Sequence, residues 1–471
     1  MRIEHDFLGD REVPDDCYYG VQTMRAIDNF QITGLRIDPD FIKAMAVVKK
    51  AAAMTNMATH RLPHEIGDYL IAAADEIIDG KWLDQFPLDP IQGGAGTSIN
   101  MNMNEVLCNR ALELKGLPKG RYDLISPNNH ANMAQSTNDS FPTSIKVCVF
   151  SKAEALSKAL ERMAAEFDAK GKEFHDVIKM GRTHLQDAVP ITLGEEMDAY
   201  ASIVRRCISR IDRSLDAIRA INMGGTAVGT GINSEVEYIA EYPDILTRLT
   251  GHHFETSSNL VDATNSTDSY AEISGALKTS ALSLIKIAND IRLMASGPRC
   301  GLNEITLPAR QPGSSIMPGK VNPVIAEVLD QTCYHIIGND LAITLAVENG
   351  QLELNVMEPV VAFNLFNSFR YLTNAVNTFT DKLLKGLQAN REQCKQWVDN
   401  SVGIITALLP HIGYEKCSAI AKEAYATHVP VQTILERENI LSKERIAEIL
   451  SPLEMTQPGI AGIPSSHMRK R

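Results

Sequence analysis

The segment 195–221, which contains neither Pro nor Gly, constrains most strongly what this chain can fold into. Apolar side chains recur there every three or four residues, the spacing of a helix with one buried stripe, close to a coiled-coil seam. As a helix the segment would span roughly 40 Å at 1.5 Å per residue, so it needs apolar partners along its length. The stripe comprises Leu193, Met197, Tyr200, Val204, Cys207, Ile211, Leu215 and Ile218.

Four other segments show helical patterns of similar length, near 143–170, 267–297, 323–349 and 359–386. Helices this long are rare in ordinary globular domains, and several together imply an elongated bundle. We therefore expect a mainly α protein. One subunit alone would not cover all the apolar stripes, so association of bundles between subunits is the natural solution.

The flanks of the chain differ from this centre. Residues 1–138 mix turn signals with shorter helical patterns such as 40–57, and residues 394–471 carry short helical patterns only. Strand signals are few and short. The sequence thus predicts three domains: a mixed, mostly helical N-terminal domain (1–138), a central long-helix bundle (139–393) and a small helical C-terminal domain (394–471).

Composition excludes several classes of function. The chain of 471 residues has a formal net charge of −12, which is not the footprint of a protein that binds nucleic acid or a membrane surface. Its eight cysteines form no CxxC pair and indicate reduced thiols. No run of 18 apolar residues and no secretory signal pattern is present, so we expect a cytoplasmic protein.

Four short loops concentrate small hydroxyls, amides and glycines: 93–98 (GGAGTS), 135–139 (QSTND), 181–187 (GRTHLQD) and 313–323 (GSSIMPGKVNP). Any one of the first three alone is more often a capped helix start, since Ser, Thr and Asn are common N-caps, and Gly-Ser-Ser alone is typical of a generic flexible loop. Such groups also bind carboxylates, above all near helix N-termini. Four together favour a binding site for a small anion.

The loop 313–323 is the most specific of the four. Gly313 and Gly319 allow sharp bends, Lys320 adds a positive charge, and Asn322-Pro323 resembles an N-cap with its first helical residue. A P-loop would need four residues before Gly-Lys and then Ser or Thr, whereas five intervene here and Val321 follows. A nucleotide site is therefore rejected.

His184 and Glu327 are further candidates. A lone His is more often a surface or satisfied core residue, and a lone Glu on a helix is usually solvated. His184, however, directly follows Thr183 in a polar loop, and Glu327 lies one helical turn after the loop 313–323. A carboxylate there could orient and charge an imidazole.

These loops, in this order, resemble those of the aspartase/fumarase superfamily. The resemblance covers nearly the whole chain, from Asp6-Phe7-Leu8-Gly9 to Ile460-Ala461-Gly462. It is strongest to the aspartase branch, on Gly93 to Ser98, on Asn322-Pro323-Val324 and on Asn355-Val356-Met357-Glu358-Pro359. Class II fumarases usually carry Ser-Gly-Thr-Gln at the first place and Phe-Lys-Pro after Asn-Val at the last.

The resemblance implies a three-domain subunit that eliminates ammonia reversibly from L-aspartate to give fumarate, through an aci-carboxylate. Catalytic roles fall on Ser314 as the general base, Lys320 and His184, with Glu327 in support. The β-carboxylate would be held by Thr97, Ser136, Thr137 and Ser315; the α-carboxylate by Thr183, Lys320 and Asn322; the amine would lie near Asn138 and His184.

The resemblance also implies a homotetramer whose active sites are each shared between three subunits, and chemistry that needs no metal or organic cofactor. We see no ligand set for Mg²⁺ in the sequence. Two alternatives stay open: a class II fumarase, which adds water instead of ammonia, and a structural protein that has kept this fold without activity.

Overall fold

A computed structural model describes residues 1–463 and consists mainly of α-helices. The helices are α1 Val21–Asn29, α2 Pro39–Ala58, α3 His64–Ile78, α4 Thr97–Leu114, α5 Thr137–Glu173, α6 Leu193–Ser214, α7 Val236–Thr250, α8 Leu260–Asn265, α9 Asp268–Met294, α10 Val324–Glu348, α11 Glu358–Lys382, α12 Arg391–Asn400, α13 Leu409–Ile412, α14 Tyr414–Thr427, α15 Val431–Glu438, α16 Lys443–Ile449 and α17 Pro452–Met455. The mainly α fold class is confirmed.

Within residues 1–463, the strands pair into two-stranded sheets. They are β1 Arg2–Asp6, β2 Gly9–Val13, β3 Ile178–Thr183, β4 Gln186–Thr192, β5 Ala220–Ile221, β6 Glu255–Thr256, β7 Ile305–Thr306 and β8 Gln388–Ala389. The pairs β1–β2, β3–β4 and β7–β8 are antiparallel, and β5–β6 is parallel.

The five long helices predicted from the sequence are α5, α6, α9, α10 and α11, with 37, 22, 27, 25 and 25 residues. The seam on α6 is buried from Leu193 to Ile211, as its spacing predicts. The α-helix ends earlier than expected, at Ser214. A 3₁₀ turn over Leu215–Ile218 follows and leads into β5, so Leu215 is only partly buried.

The described chain divides into two compact units, which are treated separately below. The first unit contains residues 1–158, 207–282 and 332–374, and the second contains 159–206, 283–331 and 375 onward. The predicted domain limits at 138 and 393 stay a prediction, and residues 464–471 of the predicted C-terminal domain lie outside the described residues.

In the first unit, α2 is the central helix of the core. Asp38 caps it by accepting the N–H of Asp40 at 2.9 Å, and Pro39 occupies the first turn, where its missing N–H costs nothing. Thirteen of its twenty residues are buried, so α2 is covered on nearly every side. Its Phe41 packs against Phe141 and Phe366, with ring centroids 5.3 and 5.1 Å apart.

Two buried carboxylates cap the start of α1. Glu105 accepts the backbone N–H groups of Gly20 and Gln22, each at 2.8 Å, and the hydroxyl of Thr23 at 2.6 Å. Glu4 accepts the N–H of Val21 at 2.9 Å. A side chain at Gly20 would collide with both carboxylates, so the close approach requires glycine. Burial raises the pKa of Glu105 to about 7 in spite of these donors.

In the second unit, the β3–β4 hairpin stands next to a small helical core. Met180 of β3 is buried in that core with Leu408, Ile434 and Ile446. Hairpin register runs from Ile178 opposite Thr192 to Thr183 opposite Gln186. The turn of this hairpin therefore carries two of the predicted site residues.

Within residues 1–463, none of the helices combines the length and apolar character that a membrane span would need.

The stability of the protein should depend on pH through Glu105. Its carboxyl has an ordinary value of 4.5 and a folded pKa of about 7, so between these values the folded chain binds more protons than the unfolded chain. Stability relative to a Glu105→Gln variant should therefore fall as pH rises from about 4.5 to about 7, by on the order of 3 kcal/mol, and then level off.

Thermal unfolding at fixed protein concentration, repeated across this pH range, measures the effect. Loss of capping bonds in the variant adds an offset that does not depend on pH. Glu65→Gln, on the exposed side of α3, serves as the matched control. A parent-to-variant difference that stays constant with pH would show that Glu105 ionises normally.

Candidate active site

The glycine-rich loop 93–98 leads directly into the N-terminus of α4. Gly94 and Gly96 have φ of +89° and +87°, and Ala95 between them also adopts a left-handed conformation with φ of +55°. A Cβ at Gly96 would lie 2.5 Å from the ring of Phe141. Thr97 is the first residue of α4 and its side chain is exposed.

The loop 135–139 leads in the same way into the N-terminus of α5, whose first residue is Thr137. The Thr137 hydroxyl accepts a hydrogen bond from Asn100 Nδ2 at 3.0 Å, and the Ser136 hydroxyl accepts the N–H of Asn138 at 3.2 Å. Because Asn100 lies in α4, this contact brings the first two predicted loops together. Their helix N-termini concentrate N–H groups and partial positive charge, which suits a carboxylate.

Pro142, inside α5, exposes one carbonyl of this loop. A residue at 142 with an N–H would donate it to the carbonyl of Asn138, and proline cannot. Asn222 Nδ2 donates to that carbonyl instead, at 2.9 Å. The side chain of Asn138 donates to the carbonyl of Ala227 at 2.7 Å. The carbonyl and the side chain of Asn138 are thus both held by the segment 222–227.

A buried lysine lies beneath the same loop. Lys49, on α2, donates to Gln135 Oε1 at 2.8 Å and to Asn132 Oδ1 at 3.1 Å. Asn132 Nδ2 in turn donates to the carbonyl of Gln135 at 3.2 Å. Burial lowers the pKa of Lys49 to about 7. The ammonium of Lys49 therefore holds the side chain of Gln135 directly and its carbonyl through Asn132, and Gln135 directly precedes Ser136.

Asp139 is the buried anion of this region. It accepts the N–H groups of Ser136 at 2.9 Å, Thr226 at 3.0 Å and Gly224 at 3.2 Å. Burial raises the pKa of Asp139 to about 7, and the three N–H donors and the charge of Lys49 counteract this only in part. The Asp139 side chain fixes the first turn of α5 from the inside.

In the second unit, Thr183 and His184 occupy the turn of the β3–β4 hairpin. His184 and Leu185 both have positive φ, +55° and +59°, although neither is glycine. Two consecutive left-handed residues match the right-handed twist of a hairpin, but they cost conformational energy when side chains are present. The side chains of Thr183, His184 and Leu185 are exposed. A strained turn that presents an imidazole is typical of a functional site.

The loop 313–323 is closed at its base by its own backbone. Gly313 donates its N–H to the carbonyl of Lys320 at 2.7 Å, and Asn322 Nδ2 donates to the carbonyl of Gly313 at 2.9 Å. A Cβ at Gly313 would lie 2.6 Å from that Lys320 oxygen, so the closure needs glycine. Helix α10 starts at Val324, one residue after the predicted start at Pro323.

Ser314 Oγ points toward backbone donors inside this loop. It accepts the N–H groups of Met317 at 3.0 Å and Ile316 at 3.2 Å. Two N–H donors on one hydroxyl oxygen favour its ionised form. The middle of the loop, from Ser315 to Val321, is open to solvent, and the side chain of Ile316 is 84% exposed.

Glu327 lies in the first turn of α10, as predicted, and is partly buried. Among the described residues of a single chain, no hydrogen bond or ion pair joins it to His184, and Lys320 forms no ion pair. The proposed pairing of Glu327 with His184, and that of Lys320 with a substrate carboxylate, stay predictions.

Sequence reasoning missed the buried residues under these loops. Lys49 is 86 positions away from Gln135 and Asn100 is 37 positions away from Thr137, whereas Asn132 is only three positions from Gln135. The one available signal was Lys49 itself, a charge in the middle of the apolar run AMAVVKKAAAM. A lysine that continues an apolar helix face is either at the surface or neutralised inside.

No cluster of three or more His, Cys, Asp or Glu that could hold a metal ion occurs in residues 1–463. The expected independence from metals and organic cofactors stays a prediction.

Replacing Lys49 should disturb the loop 135–139. In Lys49→Gln, Gln135 loses its charged donor in a buried place, so we expect KM for the substrate to rise about tenfold or more and the unfolding temperature to fall. The matched control is Lys50→Gln, which breaks the more exposed Lys50–Asp75 pair one residue away. Equal KM values in the two variants would mean that Lys49 does not act on the loop.

The chain matches two family models. The model described as "Lyase" matches residues 9–338, and the model described as "Fumarase C C-terminus" matches residues 404–457. The first match alone spans more than half of the chain and includes all the predicted site residues.

Among curated relatives, the aspartate ammonia-lyases of a Bacillus species and of Bacillus subtilis are 56% and 54% identical to this chain. Each alignment covers 98% of this chain and at least 97% of the relative. The aspartate ammonia-lyase of Escherichia coli K12 is 45% identical over 97% of this chain and 96% of its own length.

Solved structures of this family are also similar to the chain. A fumarate lyase:delta crystallin from Brucella melitensis, bound to cobalt, superimposes with a TM-score of 0.95 at 45% identity and covers 97% of this chain and all of its own. A class II fumarase from Schistosoma mansoni gives 0.93 at 37% identity, over 97% and 99% of the two chains. Because these matches run almost from end to end, the chain belongs to the family described as "Lyase", that is, to the aspartase/fumarase superfamily.

Proposed function

We propose that this protein is an aspartate ammonia-lyase, which converts L-aspartate reversibly into fumarate and ammonia. The observation that carries the proposal is the identity of 45–56%, over 97–98% of the chain, to relatives that bear this name. The polar loops supply the donors that a substrate with two carboxylates and an amine requires.

Ser314 is the general base in this proposal. Elimination removes a weakly acidic proton from the β-carbon, next to a carboxylate. A serine oxygen can do so as an alkoxide, and the two N–H groups that it accepts from Ile316 and Met317 stabilise that charge. Exclusion of water would strengthen both bonds.

The electrons left on the β-carbon spread into the neighbouring carboxylate as an aci-carboxylate. Stabilisation of this dianion is expected to be the largest catalytic effect. The proposed donors to it lie at the N-termini of α4 and α5, at Thr97 and Ser136–Thr137, and at Ser315 in the loop 313–323. Because these donors are neutral, they are cheap to desolvate.

The α-carboxylate would be held by Thr183, Lys320 and Asn322, and the amine would leave near Asn138 and His184. As the C–N bond breaks, its electron pair goes to nitrogen, and the aci-carboxylate collapses to fumarate. Lys320 and the His184 turn are solvent-exposed in a single chain. We therefore propose that neighbouring subunits close the site over them.

A second candidate is fumarate hydratase. The match to the fumarase C-terminal model and the likeness to the Schistosoma mansoni class II fumarase both favour it. The two reactions share the proton abstraction and the aci-carboxylate and differ in the leaving group. The assay must therefore compare amine and hydroxyl substrates directly.

Purified protein should form fumarate from L-aspartate at least about a hundredfold more efficiently, in kcat/KM, than from L-malate, which corresponds to about 3 kcal/mol of discrimination. Ultraviolet absorbance of fumarate measures both reactions. Ser314→Ala should lose nearly all turnover, because no other group takes the β-proton.

The control for this variant is Ser258→Ala, in an exposed loop. A preference for L-malate would establish the hydratase instead. Ser314→Ala activity within tenfold of the parent would remove Ser314 as the base, whichever substrate is preferred.

We also propose a homotetramer, with each site shared between three subunits. Helix α10 carries an apolar stripe that the described chain leaves uncovered: Tyr334, Leu341 and Leu345 are 53%, 61% and 51% exposed. At about 100° per residue these three side chains lie within a narrow sector of the helix surface. Such a stripe indicates an interface between chains.

Substituting this stripe should separate assembly from folding. Leu341→Lys with Leu345→Lys places two charges in the proposed interface, so we expect loss of the tetramer and of activity together, with helical content retained. Light scattering and assay on the same samples measure both. Lys substitution at exposed Leu114 is the control. A fully active parent monomer would refute the shared site.

A further inference from the structure

Glu304 is a buried carboxylate to which the proposed mechanism gives no role. It lies in the second unit, directly before β7, with an exposed fraction of 0%. Its N–H donates to the carbonyl of Met294 at 2.9 Å, and its carbonyl accepts the N–H of Asn390 at 2.9 Å. The backbone of Glu304 is thereby tied to the end of α9 and to the segment between β8 and α12.

The carboxylate of Glu304 faces two cations, both from β3. Arg182 Nη1 donates to Oε1 at 2.7 Å, and Lys179 Nζ lies 3.1 Å from Oε2. Lys179 also donates to Glu196 Oε1 at 2.8 Å, so the four charges balance. The side chains of Lys179 and Arg182 are only 4% and 14% exposed.

The hairpin departs from regular geometry to make this possible. In a regular strand, residues three apart point to opposite faces, so Lys179 and Arg182 could not both reach one carboxylate. The β3–β4 register shifts between Met180 and Arg182, at Gly181. A Cβ at Gly181 would lie 2.7 Å from the carbonyl of Val189. Such a bulge re-aims the side chain that follows it, here Arg182.

The position of this cluster along the chain relates two predicted site elements. Arg182 directly precedes Thr183 and His184, whose turn is strained. Glu304 precedes β7, and eight residues after Ile305 the loop 313–323 begins. One buried carboxylate therefore anchors both the strand that ends in the His184 turn and the segment that leads to Ser314.

We infer that Glu304 is a positioning residue: through Lys179 and Arg182 it holds the Thr183–His184 turn in the place where that turn can serve the reaction. This inference rests on the proposed function. A buried ion cluster adds little net stability, but removing one member leaves charges unpaired in a dry place. Its neighbours then move to find water or another partner, and the adjoining turn moves with them.

The test is Glu304→Gln, which keeps the shape and removes the charge. We expect kcat/KM for L-aspartate to fall about a hundredfold, with a clear rise in KM, since a displacement of about 1 Å suffices for such a loss. Glu304→Asp, which retains the charge, should recover part of it. The matched control is Asp381→Asn, which breaks the exposed Arg162–Asp381 pair of the same unit.

If Glu304 only stabilised the fold, its substitution would lower the yield of folded protein but leave the KM of that folded protein unchanged. That result in Glu304→Gln would overturn the inference. If Glu304→Gln does not fold, Arg182→Gln decides, because Arg182 is less buried and one pair to Glu304 remains. We expect a rise in KM there too, of about tenfold, and an unchanged KM would likewise overturn the inference.

Hydrogen exchange supplies a readout that does not depend on the proposed reaction. Amides of β3 and β4 should exchange faster in Glu304→Gln than in the parent or in Asp381→Asn. Parent protein that fails to deaminate L-aspartate would contradict the proposed function alone, and exchange would then decide this inference. Equal exchange in all three proteins would overturn it.

Discussion

Burial of the apolar stripes on five long helices is the constraint on which the rest of the structure depends. A helix of 37 residues such as α5 is stable in water only if its stripe is covered along its length. Covering the stripes fixes where these helices begin. Two of the polar loops lie directly before those beginnings, at Thr137 for α5 and Val324 for α10. Helix packing thus presents helix N-termini, with their partial positive charge, in an acidic protein.

The loops themselves carry little apolar surface and must be held by other means. Buried charges do this in both units. Lys49 and Asp139 hold the loop 135–139 from inside, and Glu304 holds β3. Taking such groups out of water costs several kcal/mol each, which direct hydrogen bonds only partly offset. The shifted pKa values of Lys49 and Asp139, both about 7, reflect that cost.

Buried charges nevertheless define the geometry of these loops more sharply than apolar contacts do. An apolar contact tolerates small displacements, whereas a buried ammonium between two amide oxygens is stable in one arrangement only. The proposed mechanism must position a dianion and therefore needs one defined arrangement, because electrostatic stabilisation weakens quickly with misalignment. In the loop 313–323, Ile316 and Lys320 lie at the surface of one chain, and the described residues of that chain give them no comparable support. In our proposal, the other subunits and the substrate provide it.

Local pattern accounts for much of the agreement between sequence and structure. The seam from Leu193 to Ile211 and the helices on either side of the polar loops follow from residue spacing, which acts over one or two turns. The end of α6 at Ser214 does not, because β5 pairs there with β6, about 35 residues further along the chain. Helix propensity depends on neighbouring residues and therefore cannot predict such a long-range pairing.

The sequence by itself determined the helical class, the stripes that must be buried, the order of the four polar loops and, through them, the superfamily. These features depend on near neighbours in the chain and on short motifs. The tertiary structure alone decided which buried charges meet. Glu304 and Arg182 are 122 positions apart, and Lys49 and Gln135 are 86 apart. Only a folded core brings such groups together, because only there does removal from water make each of them require the other.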